Sequence, residues 1–239
     1  MCYQLYVHWW DFSASIPEVM QSLNNLVLAG KVLYLGVSDT PAWVVSKANE
    51  YARNHGLRQF SVYQGLWSAA DRDVEREILH MVKAEGMAMA PWGSLGGGRF
   101  KTEEQRHAQR GQGRAVEASE RDIQVSRALE AVARRKDTLL TSVAQAYVMH
   151  KMPYVFPIVG GRTVEHLKAN IEALTLALDD DDVREIEGAA PLDYGFPLRF
   201  LWGSDKQPDN PGKIWLLNMA GHFDYVPAQA PIAPRKLGE

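Results

Sequence analysis

The fold is decided by residues 31–64, which read KVLYLGVSDTPAWVVSKANEYARNHGLRQFSVYQ. Residues 32–37 form an apolar run that is typical of a strand buried on both faces. Pro41 then favours the start of a helix, and Gly56 favours its end. A second apolar run at 60–64 predicts another strand. Because strand, helix and strand alternate, the stretch predicts parallel strands joined by a crossover helix.

The same alternation continues on both sides of this stretch. Ser119 with Asp122 predicts a capping box, and the acidic residues 179–182 predict a helix start. Further strands are predicted at 4–10, 87–91 and 154–159. Further helices are predicted at 15–30, 71–86, 119–136, 140–150 and 165–176, and from Asp179. These are about five strand–helix units of an α/β fold, whereas a closed (β/α)8 barrel needs eight.

Two regions depart from the alternation. Residues 96–120 are rich in Gly, Gln, Arg and Lys and almost free of apolar side chains, so we predict a long exposed loop with a solvated basic surface. From Pro191 the chain is rich in Pro, Gly and aromatic residues. We therefore divide it into a partial barrel at 1–190 and a C-terminal tail at 191–239 that packs on the barrel.

Charge and composition exclude several classes of protein. The 239 residues are 46% hydrophobic and 23% charged, which is an ordinary globular composition. A net charge of −3 argues against binding to nucleic acid. Cys2 is the one cysteine and cannot form an internal disulfide. Neither a secretory leader nor an apolar run of about 20 residues is present, so we predict a cytoplasmic protein without a membrane partner.

Polar and aromatic side chains follow the predicted strands, at the edge where parallel strands gather functional groups. Ser38, Asp39 and Gln64 offer a hydroxyl, a carboxylate and a carboxamide, which suit a primary amide. Ser38 and Asp39 are also ordinary turn residues. Trp92 suits the cover of a flat ring. His8 either donates to a substrate carbonyl and exchanges a proton, or is a satisfied histidine of the rim.

Gly160, Gly161 and Arg162 resemble an anion site, because bare backbone amides and a guanidinium both suit phosphate. His166 and Asn170 lie one turn apart on the helix that follows, where they face either the phosphate end of an adenosine nucleotide or solvent. The histidines lack metal-ligand spacing, and the sequence shows no serine nucleophile elbow. The pattern therefore predicts a nucleotide site without a metal.

Five motifs stand in order along the chain: YVHWWD, LGVSDTPAWVV, FSVYQGLWSAADRDVEREI, APWGSLGGGRF and PIVGGRTVEHLKANIEAL. Together they resemble the latter part of an aldo-keto reductase, most closely the fungal aryl-alcohol dehydrogenase and norsolorinic acid reductase-like branch. The resemblance implies a (β/α)8 TIM barrel that binds NADP(H). It implies hydride transfer between the nicotinamide and an aromatic or polyketide carbonyl or alcohol, in secondary metabolism of the mycotoxin type.

The resemblance also implies roles for the candidate residues. His8 matches the catalytic histidine, and Asp39 stands where many members carry asparagine. The family's catalytic Asp, Tyr and Lys belong to three strand–helix units that precede the one with which this chain begins. We therefore expect an incomplete, truncated barrel with little or no activity; the alternative is a non-catalytic pseudoenzyme or regulatory nucleotide-binding protein. The cofactor contacts are expected from Ser38, Asp39, Gln64, Trp92, Gly160, Gly161, Arg162, His166 and Asn170.

Overall fold

A parallel sheet of four strands organises the computed structural model, which describes residues 2–108, 117–204, 208, 210–222 and 224–234. The strands are β1 (Cys2–His8), β2 (Val32–Ser38), β3 (Phe60–Leu66) and β4 (Ala88–Trp92). They lie side by side in chain order, and each neighbouring pair is parallel. The predicted alternation of strands and crossover helices is confirmed.

Helices connect and cover these strands. They are α1 (Ile16–Leu28), α2 (Ala42–Asn54), α3 (Ile78–Ala84), α4 (Glu103–Ala108), α5 (Glu120–Arg135), α6 (Leu140–Lys151), α7 (Val164–Glu172), α8 (Asp180–Ala189), α9 (Leu198–Trp202) and α10 (Trp215–Ala220). In the described ranges, none of them is long and apolar enough to cross a membrane.

Side-chain caps explain where three of the helices begin. Ser15 caps α1, because its hydroxyl accepts a hydrogen bond from the Glu18 amide. Ser119 and Asp122 form the predicted capping box of α5. Asp179 and Asp182 form a second capping box, which starts α8 in the predicted acidic stretch.

The main core lies between the sheet and the helices packed on it. Leu35 and Tyr63 of the sheet, Leu129 of α5 and Tyr147 of α6 are all fully buried members of one apolar cluster. A smaller cluster of Leu192, Tyr194 and Trp202 forms within the predicted tail.

Three predicted boundaries are wrong. The helix predicted at 71–86 is a 3-10 turn (Asp73–Glu75) followed by the short α3, because the Asp71 carboxylate bonds to Ser68 and Arg99 instead of capping a helix. The loop predicted at 96–120 contains α4, and its residues 109–116 lie outside the described residues. The first strand ends at His8 rather than at residue 10, because Trp9 adopts a left-handed backbone.

The strand predicted at 154–159 is reduced to one bridge, between Val155 and Met89 of β4. The Phe156 amide donates to Met89 O at 2.8 Å, and the Ile158 amide donates to Pro91 O at 2.8 Å, so the segment still runs along β4. Pro91 of β4 has no amide hydrogen, so it cannot donate to Phe156 O and the ladder beyond Val155 stays incomplete. Before Val155, the left-handed Tyr154, with a φ of 60°, ends the extended backbone. The described sheet therefore has four strands rather than five.

Candidate active site

Strand register places three candidate residues in line. His8 of β1 pairs with Ser38 of β2, and Ser38 pairs with Gln64 of β3. His8 and Ser38 are the last residues of their strands, whereas β3 continues two residues beyond Gln64, to Leu66. The predicted gathering of these polar side chains at one edge of the sheet follows from this register.

Asp39 connects His8 with Trp92. One carboxylate oxygen lies 3.2 Å from His8 Nε2, and the other accepts a hydrogen bond from Trp92 Nε1 at 3.4 Å. Asp39 directly follows β2 and adopts a left-handed backbone with a φ of 47°. His8 is largely exposed, so its imidazole is open to a ligand on the side away from Asp39. The imidazole, the carboxylate and the indole are thus linked by polar contacts into one row across the sheet.

Ser38 carries a buried hydroxyl without a partner. The residue is 1% exposed, and its Oγ makes no hydrogen bond to the described residues. Its carbonyl oxygen is used, because it accepts from the Trp9 amide at 2.9 Å and from Thr40 Oγ1 at 2.9 Å. An unpaired buried hydroxyl costs about 1–3 kcal/mol, which a ligand that bonds to it recovers.

Two tyrosines beside the site were not predicted. The Tyr63 hydroxyl donates to Thr40 O at 2.8 Å and accepts from the Thr40 amide at 3.1 Å, which fixes the loop after β2. Burial raises the pKa of Tyr63 to about 12. Burial also raises the pKa of Tyr6, against the opposing effect of a hydrogen bond with Gln64. Both phenols therefore keep their protons at neutral pH. Both stand inside motifs quoted above, but the motifs alone assign neither of them a role.

The second group of candidates surrounds the start of α7. A cavity of about 470 Å³ is lined by Gly160, Gly161, Arg162 and Asn170, with apolar neighbours. A Cβ on Gly161 would lie 2.6 Å from His166 Cβ, whereas one on Gly160 would meet nothing within 4 Å. Gly161 therefore has a steric role that Gly160 lacks.

His166 is exposed and is not among the residues that line this cavity. Its Nδ1 accepts a hydrogen bond from the Arg162 amide at 3.2 Å, so it shapes the turn instead of facing the cavity. Asn170 does line the cavity, and its backbone carbonyl oxygen accepts a hydrogen bond from Gln145 Nε2 at 3.1 Å. Gln145 is buried in α6 and was not predicted, because a glutamine inside an apolar helix carries no motif.

A buried ionic cluster behind the loop after β3 also escaped prediction. The Arg72 guanidinium donates two hydrogen bonds to Glu75, at 2.9 and 2.8 Å, and pairs with Glu187 at 3.2 Å. Lys151 pairs with both acids. Burial alone would raise the pKa of Glu75, but the hydrogen bond from Arg72 and the charge of Lys151 outweigh it and lower the pKa to about 2. The only sequence signal is the spacing of Arg72 and Glu75 by three residues.

Comparisons with known proteins give this geometry a family context. A family model described as the Aldo/keto reductase family matches residues 4–191. Norsolorinic acid reductase B of Dothistroma septosporum is 53% identical over 96% of this chain. The aryl-alcohol dehydrogenase (NADP⁺) of Phanerodontia chrysosporium is 48% identical over 97% of this chain. The chain spans 61% of the length of each of these two relatives.

A solved structure shares the fold. It is a thermostable aldo-keto reductase in complex with the inhibitor epalrestat, and it superposes with a TM-score of 0.63. The match covers 79% of this chain and 60% of that chain at 20% sequence identity. At this identity the likeness supports the fold alone.

Proposed function

This chain belongs to the aldo/keto reductase family, and from that premise we propose that it binds NADP(H) and serves hydride transfer to or from an aromatic or polyketide substrate. The observation that carries the proposal is the buried Ser38 hydroxyl without a partner, in register between His8 and Gln64. A primary carboxamide, the group at one end of nicotinamide, satisfies such a hydroxyl and bonds to a neighbouring glutamine as well.

The chain's residues fit the cofactor at two places. Ser38 and Gln64, with Asp39 and Trp92 beside them, would hold the nicotinamide, and the bound nicotinamide would supply or accept the hydride. His8 would donate a hydrogen bond that polarises the reacting oxygen.

The other place is the cavity at the start of α7. Gly160, Gly161 and Arg162 would hold a phosphate, with Asn170 toward the adenosine end. Arg162 is exposed and suits the additional phosphate of NADP(H), and one relative is named for that cofactor. His166 would act indirectly, through its hydrogen bond from the Arg162 amide.

The substrate class comes from the names of the relatives. A norsolorinic acid reductase and an aryl-alcohol dehydrogenase both point to an aromatic carbonyl or alcohol, and the first points to secondary metabolism of the mycotoxin type. The exposed rings of Trp9, Trp43 and Trp92 near the strand ends suit an aromatic substrate. We propose a cytoplasmic enzyme with small-molecule ligands only.

A second candidate is a non-catalytic nucleotide-binding protein. It is favoured by the phenols beside the site, because Tyr63 is fully engaged by Thr40 and burial keeps Tyr6 protonated. In the described part of the chain, neither phenol bonds to His8, whose partner is Asp39. Whichever candidate holds, three expectations stay predictions: that the barrel is incomplete, that the chain is truncated, and that a boundary lies at residue 190.

The test combines binding with turnover. We expect saturable binding of NADPH to the wild-type chain, and binding about threefold to tenfold weaker in Ser38→Ala, which removes one hydrogen bond to the ligand. Ser38→Ala should not lower the melting temperature, because the hydroxyl has no partner to lose. A destabilised variant with unchanged affinity, or a wild type without binding, would contradict the proposal.

Turnover separates the two candidates. An aromatic aldehyde is added to the NADPH-bound protein, and the loss of NADPH absorbance is followed. We expect a measurable rate, but one far below the value of about 1 s⁻¹ at which ordinary enzymes begin. No loss of absorbance beyond that of a protein-free blank would favour the non-catalytic candidate. A rate at or above that value would reject the non-catalytic candidate and the prediction of low activity together.

A further inference from the structure

The Asp39 carboxylate is a fixed negative charge at the end of the sheet. His8 Nε2 lies 3.2 Å from one oxygen, and Trp92 Nε1 donates to the other at 3.4 Å. These rings belong to β1 and β4, so the carboxylate is in contact with a ring on each side. Its side chain is nevertheless 36% exposed. A ligand that enters this edge therefore meets the charge directly.

We infer that Asp39 makes the site prefer the oxidised, cationic nicotinamide ring over the reduced, neutral ring. The inference rests on the proposed function, which puts the nicotinamide at the ends of β1, β2 and β3. Ser38, the residue before Asp39, carries the hydroxyl that suits the carboxamide of that ring. The ring and the carboxylate then share one edge of the sheet.

The charge of the nicotinamide ring determines which form of the cofactor Asp39 favours. The oxidised ring carries one positive charge and the reduced ring carries none, while the rest of the dinucleotide is the same in both forms. A nearby carboxylate attracts the first ring only. The indole of Trp92 is neutral and cannot cancel the carboxylate, and the imidazole of His8 can do so only when it is protonated. Asp39 therefore changes the ratio of two affinities.

Asp39→Asn removes this charge with little change of shape. The left-handed backbone at Asp39, with a φ of 47°, is one that asparagine tolerates better than most residues. Asp11→Asn is the matched control, because Asp11 lies three residues beyond β1 and its carboxylate bonds to the Ser13 amide and hydroxyl at 2.9 and 2.8 Å. Each substitution removes one negative charge, but only the first removes it from between His8 and Trp92.

The experiment titrates the full chain with NADP⁺ and with NADPH by calorimetry at pH 8. The quantity compared is the Kd for NADP⁺ divided by the Kd for NADPH. We expect Asp39→Asn to raise this ratio about threefold to tenfold and Asp11→Asn to leave it unchanged. An unchanged ratio in Asp39→Asn, with both forms bound, would overturn the inference and leave the proposed function intact. A wild type that binds neither form would overturn both.

Salt dependence of the wild type tests the same inference if Asp39→Asn does not fold. The screening length falls from about 10 Å at 0.1 M salt to about 3 Å at 1 M, so an attraction by the carboxylate weakens. We expect the ratio of the two Kd values to rise about twofold or more over that range. A ratio that is independent of salt would overturn the inference.

Discussion

Two adjacent glycines, Gly160 and Gly161, show what the structure adds to the role that the sequence suggests for a single residue. Gly160 and Gly161 are equivalent in the sequence, where both suggest a phosphate site. In the structure, a Cβ on Gly161 would lie 2.6 Å from His166 Cβ, and one on Gly160 would meet nothing within 4 Å. His166 Cβ is attached to the backbone of α7 and cannot swing away. Only position 161 therefore requires a glycine for steric reasons, whereas position 160 has room for a side chain.

We predict that Gly161→Ala weakens NADPH binding about tenfold, because the turn and the first turn of α7 must move apart. Gly160→Ala is the control and should bind within about twofold of the wild type. Both affinities are measured by titration of NADPH against protein fluorescence. Equal affinities in the two variants would contradict the assignment of this cavity to the cofactor.

The contacts of Asp39 are an example of a residue's surroundings that the sequence alone does not predict. Its type and position suggest a ligand of the carboxamide, and the structure adds that both carboxylate oxygens already have partners in His8 and Trp92. Those partners lie 31 and 53 residues away in sequence. Only the packing of β1, β2 and β4 brings them together, so no local pattern could reveal the contact.

At the scale of the element, capping explains most of what was predictable. The starts of α5 and α8 follow from Ser119 and Asp179 with an acid three residues later, a purely local pattern. The failed helix at 71–86 begins at an Asp, Asp71, without an acid three residues later, and its Arg72 and Glu75 side chains pair with each other in the buried ionic cluster. Tertiary contacts override local preference there, and the sequence alone carries no sign of it.

The capping box of α8 should make stability depend on pH. Burial would raise the pKa of Asp182, but hydrogen bonds from Lys136, the Asp179 amide and Arg135 lower it below the ordinary value of 3.8. A lowered folded-state pKa stabilises the fold above pH 3.8, and this contribution is lost as the pH falls through the folded-state value. The carboxylate is therefore stabilising at neutral pH.

We predict that Asp182→Asn lowers the free energy of unfolding by about 1–3 kcal/mol at pH 7, and that the difference from wild type shrinks below pH 3.8. Urea unfolding at pH 7 and pH 3 measures both values. Asp181→Asn is the control, because Asp181 lies in the same first turn and its side chain is 85% exposed. A deficit of Asp182→Asn that stays constant with pH would contradict this account.

At the scale of the whole molecule, the buried ionic cluster joins distant parts of the chain. Glu75 accepts hydrogen bonds from Trp67 after β3, from Tyr147 of α6 and from Tyr194 in the predicted tail. The Arg76 guanidinium donates to the carbonyl oxygen of Asp193 at 2.8 Å. These bonds tie residues 193–194 to the loop beside the sheet.

We predict that Glu75→Gln lowers the free energy of unfolding by about 3–5 kcal/mol, because it leaves Arg72 and Lys151 buried with too little negative charge. Asp73→Asn is the control, since Asp73 lies two residues away and its side chain is 83% exposed. Its effect should stay within about 0.5 kcal/mol. Urea unfolding measures both variants, and similar effects in the two would refute a structural role for the cluster.

The global architecture was only partly predictable. The order and direction of the four strands follow from repeated local patterns that agree with one another. The fifth segment forms one bridge only, because Pro91 of β4 lacks the amide hydrogen that a continued ladder needs and Tyr154 is left-handed. Helices α9 and α10 are short and lack apolar periodicity, so the tail was predicted without them.

The central claim is that the ends of β1, β2 and β3, with the turn before α7, hold one NADP(H) molecule. The most direct measurement follows the backbone amide resonances of the full chain by NMR during a titration with NADP⁺. We expect saturable shifts concentrated at residues 8–9, 38–40, 64–65 and 160–170. Saturable shifts at another face of the sheet, or none at all, would contradict the claim.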